Sequence, residues 1–139
     1  MLVGTYRLLS WENRFDSGRT DYPLGKDAKG IIGYLENGHM FVHIMAADRE
    51  RVSGADLFGG DEAEFAAATM THLSYTGTYR IEGDEVIHEV QICSFPNWVG
   101  TDQRRRCRFE DGNLLLSAGG LRVGDETATG YLVWQPIDN

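Results

Sequence analysis

The sequence has few cysteines and no long apolar run, and each shortage excludes a class of protein. Two cysteines among 139 residues, Cys93 and Cys107, are too few for a disulfide framework and form no Cys-x-x-Cys pair. No apolar stretch approaches the roughly 20 residues of a membrane-spanning helix. The first residues carry neither the basic nor the apolar segment of a secretion signal, so we expect a cytoplasmic protein.

Basic residues are scarce relative to acidic ones, which bears on the partners to expect. Thirteen Lys and Arg face 21 Asp and Glu, and the formal net charge is −8. This charge repels phosphate backbones and anionic membranes, so neither nucleic acid nor a membrane is an expected partner. His39, His43 and His72 share no face or metal-ligand spacing, and phosphate loops and dinucleotide motifs are absent. We therefore expect no metal and no cofactor.

Glycine and aromatic residues are plentiful, a composition typical of short strands joined by tight turns. Three turn dipeptides, Asn37-Gly38, Gly83-Asp84 and Asp111-Gly112, each separate two runs of strand-forming residues. Eight strands result, at residues 2–13, 29–36, 39–47, 74–82, 85–94, 101–110, 113–118 and 130–135. The pattern predicts one all-β domain over residues 1–139, an eight-stranded antiparallel up-and-down barrel, because closure removes exposed strand edges.

One segment, between the third and fourth of these strands, is typical of a helix instead. Residues 62–72 contain three consecutive alanines, and Asp61 with Glu64 matches a capping box at the helix start. We expect the helix to cover one end of the barrel. The preceding loop, residues 48–60, is long enough to act as a movable flap over the opening.

The short turns also predict which side chains face the interior, because a two-residue turn fixes the register of both strands. In the second hairpin Tyr79 opposes His88, and the inward face also holds Ile81 with Val86, Gly77 with Val90, and Tyr75 with Ile92. In the third hairpin Arg105 points inward opposite Ala118, with Gln103 one step beyond, while Arg104, Arg106 and Arg108 point to solvent.

The first hairpin and the first strand complete the predicted interior. Treating Asn37-Gly38 as a two-residue turn places Leu35, Met40, Gly33, Val42, Ile31 and Ile44 inside. The same register leaves Tyr34, Phe41 and Ile32 as an exposed apolar strip, a candidate homodimer surface. In the first strand we favour Tyr6, Leu8, Ser10 and Glu12 as the inner face over Arg7, Leu9 and Trp11.

Several stretches resemble one family, the bacterial and fungal lipocalin-like domain proteins. Gly4-Thr5-Tyr6 is similar to the Gly-x-Trp opening of lipocalins, with tyrosine in place of tryptophan. Further matching stretches are residues 2–12, 22–25, 77–79, 95–101 and 132–134, of which Phe95-Pro96-Asn97-Trp98 is the most specific. The resemblance implies a barrel with a central cavity that binds a small molecule. It also implies kinship with barrels that act as cofactor-free cyclases or isomerases in natural-product pathways.

The predicted site combines three candidate catalytic residues with a set of ligand contacts. His88 and Tyr79 form either an acid/base pair or a hydrogen-bonded core pair. Arg105 needs a partner for its charge. This partner is Glu12, or a carboxylate or enolate of the ligand. In lipocalin-like barrels such an arginine can instead stack on the aromatic residue of the first strand, here Tyr6. The ligand contacts are Tyr75, Gln103, Asn97, Trp98, Trp134, Val90 and Met40.

Two functions of different class stay open on these residues. One is a cofactor-independent isomerase, cyclase or dehydratase acting on an enolisable, polyketide-like biosynthetic substrate, with Arg105, Gln103 and Asn97 polarising its oxygens. The other is a non-catalytic carrier or sensor that encloses a small hydrophobic molecule. Convergence of polar residues on the fourth to sixth strands favours the enzyme.

Overall fold

The computed structural model describes residues 2–138 as a closed antiparallel barrel. Within these residues the strands are β1 (Gly4–Phe15), β2 (Thr20–Asp21), β3 (Lys29–Tyr34), β4 (His39–Met45), β5 (His72–Glu82), β6 (Glu85–Cys93), β7 (Asp102–Glu110), β8 (Asn113–Val123) and β9 (Glu126–Pro136). From β3 to β9, consecutive strands pair with each other. β1 closes the barrel by pairing with both β3 and β9, and the two-residue strand β2 pairs with β1. Eight strands therefore close the wall in up-and-down order, as the sequence predicts.

The helix α1 (Glu62–Met70) forms where the composition predicts it, but its place in the strand order differs from the prediction. It lies between β4 and β5, not between strands three and four, because the two-residue strand β2 has no strand pattern in the sequence and adds one to the count. Both hydrogen bonds of the capping box form between Asp61 and Glu64. No side chain of α1 is buried, and the helix contacts the barrel at β5.

The two turns at Gly83-Asp84 and Asp111-Gly112 set the predicted registers. Ile81 pairs with Val86 and Tyr79 with His88 across β5 and β6, and Cys107 pairs with Leu116 across β7 and β8. Asp111 and Gly112 both have positive φ, as this tight turn requires.

The register predicted for the first hairpin is wrong by one residue. The amide of Gly38 donates to the carbonyl of Leu35, so the loop holds three residues and ends in a glycine bulge. Consequently Tyr34, and not Leu35, pairs with Met40. Tyr34 and Ile32 are buried inside the barrel at 0% and 1% exposure. The apolar strip proposed as a homodimer surface therefore does not exist.

Bulges change the inward face within two further strands. A register shift between Leu8 and Ser10 of β1 keeps Tyr6 and Leu8 buried but turns Trp11, and not Glu12, toward the interior. A second shift between Thr76 and Gly77 places Cys93, instead of Ile92, opposite Tyr75. A bulge adds one residue to one strand and so reverses the alternation beyond it.

The buried apolar residues form one core cluster inside the barrel, which includes Leu2, Tyr34, Leu116 and Trp134. Cys93 and Cys107 are both free thiols. Among residues 2–138, no helix has the length and apolar character needed to cross a membrane.

Candidate ligand-binding cavity

A cavity of about 260 Å³ occupies the barrel interior on one side of this core. Most of its wall is aliphatic or aromatic, and a few polar side chains from β5, β6, β7 and β8 interrupt it. The lining residues are Trp11, Ile32, Val42, Ile44, Leu73, Tyr75, His88, Trp98, Gln103, Arg105, Leu116, Ala118, Leu121, Arg122, Val123, Gly130, Leu132 and Trp134. Concave, mainly apolar sites with few polar groups are typical of small-molecule binding.

A buried histidine between two tyrosines forms the polar centre of the interior. His88 of β6 is 1% exposed. Its Nε2 lies 2.6 Å from the hydroxyl of Tyr34 on β3, and its Nδ1 lies 2.7 Å from the hydroxyl of Tyr75 on β5. Burial, and then the positive charge of Arg105, lowers the pKa of His88 to about 3. The imidazole is therefore neutral near pH 7 and carries one N–H and one bare nitrogen.

The surroundings of the two tyrosines indicate the direction of these hydrogen bonds. Tyr34 is fully buried, and within residues 2–138 its hydroxyl has no other hydrogen-bond partner than His88. Tyr34 must therefore donate to Nε2, because otherwise its own O–H would be a buried donor without an acceptor. Nδ1–H then donates to Tyr75, whose own O–H remains free. Tyr75 lines the cavity, so that O–H is available to a ligand.

Arg105 brings a positive charge to the same cavity without a carboxylate partner in the described chain. Its guanidinium lies 6.0 Å from the ring centre of Trp98, and Nη1 donates to the carbonyl of Arg104 at 2.9 Å. Arg105 contacts neither of the two protein partners predicted from the sequence, Glu12 and Tyr6. Glu12 accepts from Arg14 at 2.7 Å, and Tyr6 donates to the carbonyl of Leu2 at 2.7 Å.

The charge of Arg105 also acts on the neighbouring tyrosine. Burial raises the pKa of Tyr75, and Arg105 opposes this rise. Tyr75 is accordingly a neutral phenol near pH 7, able to donate its proton in a hydrogen bond.

Two further predicted contacts, Gln103 and Trp98, lie beside Arg105. Gln103 precedes Arg105 by two residues on β7 and so shares its face, with Nε2 donating to the hydroxyl of Thr101 at 3.0 Å. Trp98 ends a short 3-10 turn, Pro96–Trp98, between β6 and β7. Its ring meets the edge of Tyr75 at 5.9 Å between centres. Trp134 of β9 completes the set of predicted residues that line the cavity.

Four predicted site residues lie elsewhere. The hydroxyl of Tyr79 donates to the carbonyl of Leu35 at 2.9 Å instead of bonding His88, and its ring packs on Tyr34 at 4.9 Å. Met40 and Val90 are buried in the core, at 1% and 2% exposure, outside the cavity lining. Asn97 is exposed to solvent.

Sequence reasoning missed Tyr34, Trp11 and the end of the cavity formed by β8 and β9. The one-residue error in the first hairpin hid Tyr34, and the bulge in β1 hid Trp11. The strands at residues 113–118 and 130–135 were predicted too short, although Gly124-Asp125 repeats the turn dipeptide Gly83-Asp84 and indicates a fourth hairpin. The missed part of that hairpin adds Leu121, Arg122 and Val123 to the lining.

The described residues offer no metal centre. Among residues 2–138, no three His, Cys, Asp or Glu side chains are grouped closely enough to hold a metal ion. Contrary to the prediction from the sequence, His43 and His72 do share one face of the sheet, with ring centres 5.8 Å apart, but this face lies outside the cavity.

A closed eight-stranded antiparallel β-barrel around one mainly apolar cavity is the architecture of lipocalin-type barrels. The chain belongs to the lipocalin-like domain family, whose model matches residues 3–137. A curated relative from Aspergillus oryzae (strain ATCC 42149 / RIB 40), named 4'-hydroxy-3'-methoxypropiophenone carrier protein, is 27% identical over an alignment of 107 positions, which covers 70% of this chain and 96% of that protein. A crystal structure of an uncharacterized protein from Bacteroides eggerthii DSM 20697 aligns with a TM-score of 0.49 and 13% identity, over 97% of this chain and 99% of that one.

Proposed function

We propose that the barrel is a carrier for a small aromatic molecule bearing at least one acceptor oxygen. The observation that carries this proposal is a mainly apolar cavity in which Tyr75 and Arg105 have donor groups without an acceptor among residues 2–138. A ligand oxygen placed between them satisfies both donors. Burial of the remaining ligand surface against aliphatic and aromatic side chains supplies most of the affinity.

The size of the cavity favours a single-ring molecule. Its volume of about 260 Å³ lies just below the roughly 300–1,000 Å³ typical of sites for drug-sized ligands. Three tryptophans, Trp11, Trp98 and Trp134, line it and offer flat aromatic surfaces. An aromatic ketone matches this chemistry, and the name of the Aspergillus relative describes a ketone of this kind.

The state of His88 favours a carrier over an acid/base enzyme. A general base needs a free lone pair and a pKa near the working pH. Nε2 of His88 is occupied by Tyr34, and the pKa of the imidazole is lowered to about 3. Tyr79, the other proton carrier of the enzymatic hypothesis, is bonded to a backbone carbonyl.

One observation keeps an isomerase, cyclase or dehydratase as a second candidate. Tyr75 and Arg105 converge on the same cavity, and two such donors can stabilise the oxyanion of an enolising ketone. In that reaction the proton acceptor would have to be a group other than His88.

Tryptophan fluorescence gives a direct test, because all three tryptophans of the chain line the cavity. We expect 4'-hydroxy-3'-methoxypropiophenone to change the emission saturably. Propylbenzene, which has the ring and chain without oxygens, should bind at least about tenfold more weakly, since a buried donor left unpaired costs about 1–3 kcal/mol.

Adjacent arginines provide a matched pair of variants. Arg105→Gln should weaken binding of the ketone about tenfold or more and leave the affinity for propylbenzene nearly unchanged. Arg106→Gln removes the same charge from the opposite, solvent-facing side of β7 and should leave both affinities as they are.

Two results would decide against this function. Equal affinity for the ketone and the hydrocarbon would remove the acceptor-oxygen argument. Conversion of the ketone during incubation, followed by proton NMR, would replace the carrier by the enzymatic candidate, whereas recovery of unchanged ketone supports the carrier.

A further inference from the structure

A second concave site lies outside the barrel wall, separate from the cavity. It is a groove of about 290 Å³ over the outer faces of β3, β4 and β5, and the loop after β4 borders it. Lys29 and Ile31 come from β3, and His43 and Met45 from β4. Cross-strand pairing aligns Lys29, Met45 and His72 in one row and places Ile31 beside His43 in the next.

Two cationic side chains and two histidines surround this groove, and no carboxylate among residues 2–138 forms an ion pair with them. Lys29, His43, Arg49 and His72 all line it. The ion pairs formed within residues 2–138 involve Arg14, Arg19, Arg80, Arg104, Arg106 and Arg108, and none of them involves a groove residue. Such a cluster stands out in a chain of formal charge −8. Burial lowers the pKa of His72, and the charges of Arg49 and His43 lower it further.

The arginine of the cluster is held in place before any ligand arrives. Its Nε donates to the hydroxyl of Thr71 at 3.2 Å, and its Nη2 donates to the carbonyl of Ala68 at 3.1 Å. Nη1 makes no protein hydrogen bond in the described chain. A guanidinium fixed at two nitrogens loses little conformational freedom when the third donates to a ligand.

The floor of the groove is apolar. The side chains of Ile31 and Met45 are each 37% exposed there, on either side of the imidazole of His43. An anion with a carbon skeleton can therefore contact the floor while its oxygens meet the basic rim.

We propose that this groove binds a small organic oxyanion, a carboxylate or a phosphate ester whose ring or chain lies on Ile31 and Met45. The proposal does not depend on the ligand of the barrel cavity. It assigns a second ligand to the outer wall of the protein, on the side where Arg49 holds the end of α1.

The test follows the ring-proton NMR signals of His43 and His72 during titration with benzoate, phenyl phosphate and acetate at constant ionic strength. We expect saturable shifts with a dissociation constant of about 1 mM for benzoate, phenyl phosphate or both, and weaker binding of acetate. Benzoate and phenyl phosphate distinguish the carboxylate from the phosphate ester. Unchanged tryptophan emission during the same titration separates groove binding from entry into the cavity.

Variants of matched charge locate the site. Lys29→Gln should weaken binding about threefold or more without affecting the fold, because Lys29 is exposed and unpaired among the described residues. Lys29→Gln with Arg49→Gln should abolish measurable binding. The control, Lys26→Gln with Arg108→Gln, removes two charges outside the groove and should bind like the unmodified protein.

Three outcomes overturn the proposal. The first is that the ring-proton signals of both histidines show no saturable shift up to about 10 mM ligand. The second is equal affinity for acetate and both aromatic anions, and the third is that binding weakens equally in the groove variant and the charge-matched control. A failure of the ketone to bind in the cavity would contradict the proposed carrier function but not the proposal for the groove.

Discussion

At the scale of single residues, the chemistry of the interior depends on His88 and its two tyrosine neighbours. The hydroxyl groups of Tyr34 and Tyr75 satisfy both ring nitrogens, so the imidazole is stable in the core only as a neutral group. A fully bonded neutral group of this kind fixes the position of Tyr75. In the proposed carrier, the hydroxyl of Tyr75 held in this position donates to the ligand oxygen.

The lowered pKa of His88 predicts a specific dependence of stability on pH. Its folded pKa of about 3 lies below the ordinary 6.5, so between these pH values the unfolded chain binds more protons. The stabilisation is complete above about pH 6.5 and is lost as the pH falls toward 3. From pH 7 to pH 5 we expect the unfolding free energy to drop by about 2 kcal/mol more in the unmodified protein than in His88→Gln, measured by urea unfolding. Parallel declines in both proteins would contradict a neutral His88.

The two tyrosines paired with His88 should be energetically distinct from the third tyrosine, Tyr79. Tyr34→Phe and Tyr75→Phe each leave a polar atom of a buried imidazole without a partner, and each should lower the unfolding free energy by about 1–3 kcal/mol. Tyr79→Phe breaks a bond to the carbonyl of Leu35 near solvent and should cost less than about 1 kcal/mol. Thermal unfolding of the three variants measures the difference. A larger loss for Tyr79→Phe than for Tyr75→Phe would argue for the pairing with His88 expected from strand register alone.

At the scale of elements, turns and bulges decide which residues could be predicted. The two-residue turns at Gly83-Asp84 and Asp111-Gly112 determine the register of their strands, and this register can be predicted from the sequence. The inward positions of His88, Arg105 and Gln103 could therefore be predicted. Asn37-Gly38 ends a three-residue loop, a choice between two common hairpin types that the dipeptide alone does not determine. Tyr34 was therefore assigned to the wrong face.

Bulges are less visible in sequence, because they depend on the fit between neighbouring strands. The bulges in β1 and β6 change the inward face at Trp11 and the partner of Tyr75. Gly77 marks the second shift, and a glycine inside a strand pattern indicates a bulge or a close backbone approach. Gly77 carries this signal, although strand alternation alone predicts only an ordinary inward position for it.

Substitution of Gly77 should show how much the bulge contributes to the fold. A Cβ at this position would overlap the backbone carbonyl oxygen of Glu89 on β6, which cannot move without breaking the β5–β6 pairing. We expect Gly77→Ala to lower the unfolding free energy by about 3 kcal/mol or more. Gly119→Ala is the control, because the nearest atom to its Cβ would be the hydroxyl of Thr129 at 3.8 Å. Chemical denaturation compares them, and similar stabilities would show that the sheet shifts freely at Gly77.

At the scale of the whole molecule, the interior is divided between a packed core and the cavity. Tyr34, Met40 and Val86 fill the part around the β3–β4 turn almost completely, each at 1% exposure or less. The apolar wall of the other part encloses about 260 Å³ of space. Because such space lacks the dispersion contacts of a packed core, filling it stabilises the native state alone.

Ligand binding and global stability should consequently be linked in proportion to affinity. At a free ketone concentration of about 100 times the dissociation constant, the unfolding free energy should rise by about 2.7 kcal/mol, since the unfolded chain has no cavity. Differential scanning fluorimetry at several ketone concentrations measures this rise as a progressive increase in Tm. In Arg105→Gln the curve of Tm against ketone concentration should be displaced to concentrations about tenfold higher. In Arg106→Gln this curve should match that of the unmodified protein. An increase in Tm that is identical in all three proteins would place the ketone outside the cavity, because only Arg105 among these side chains lines it.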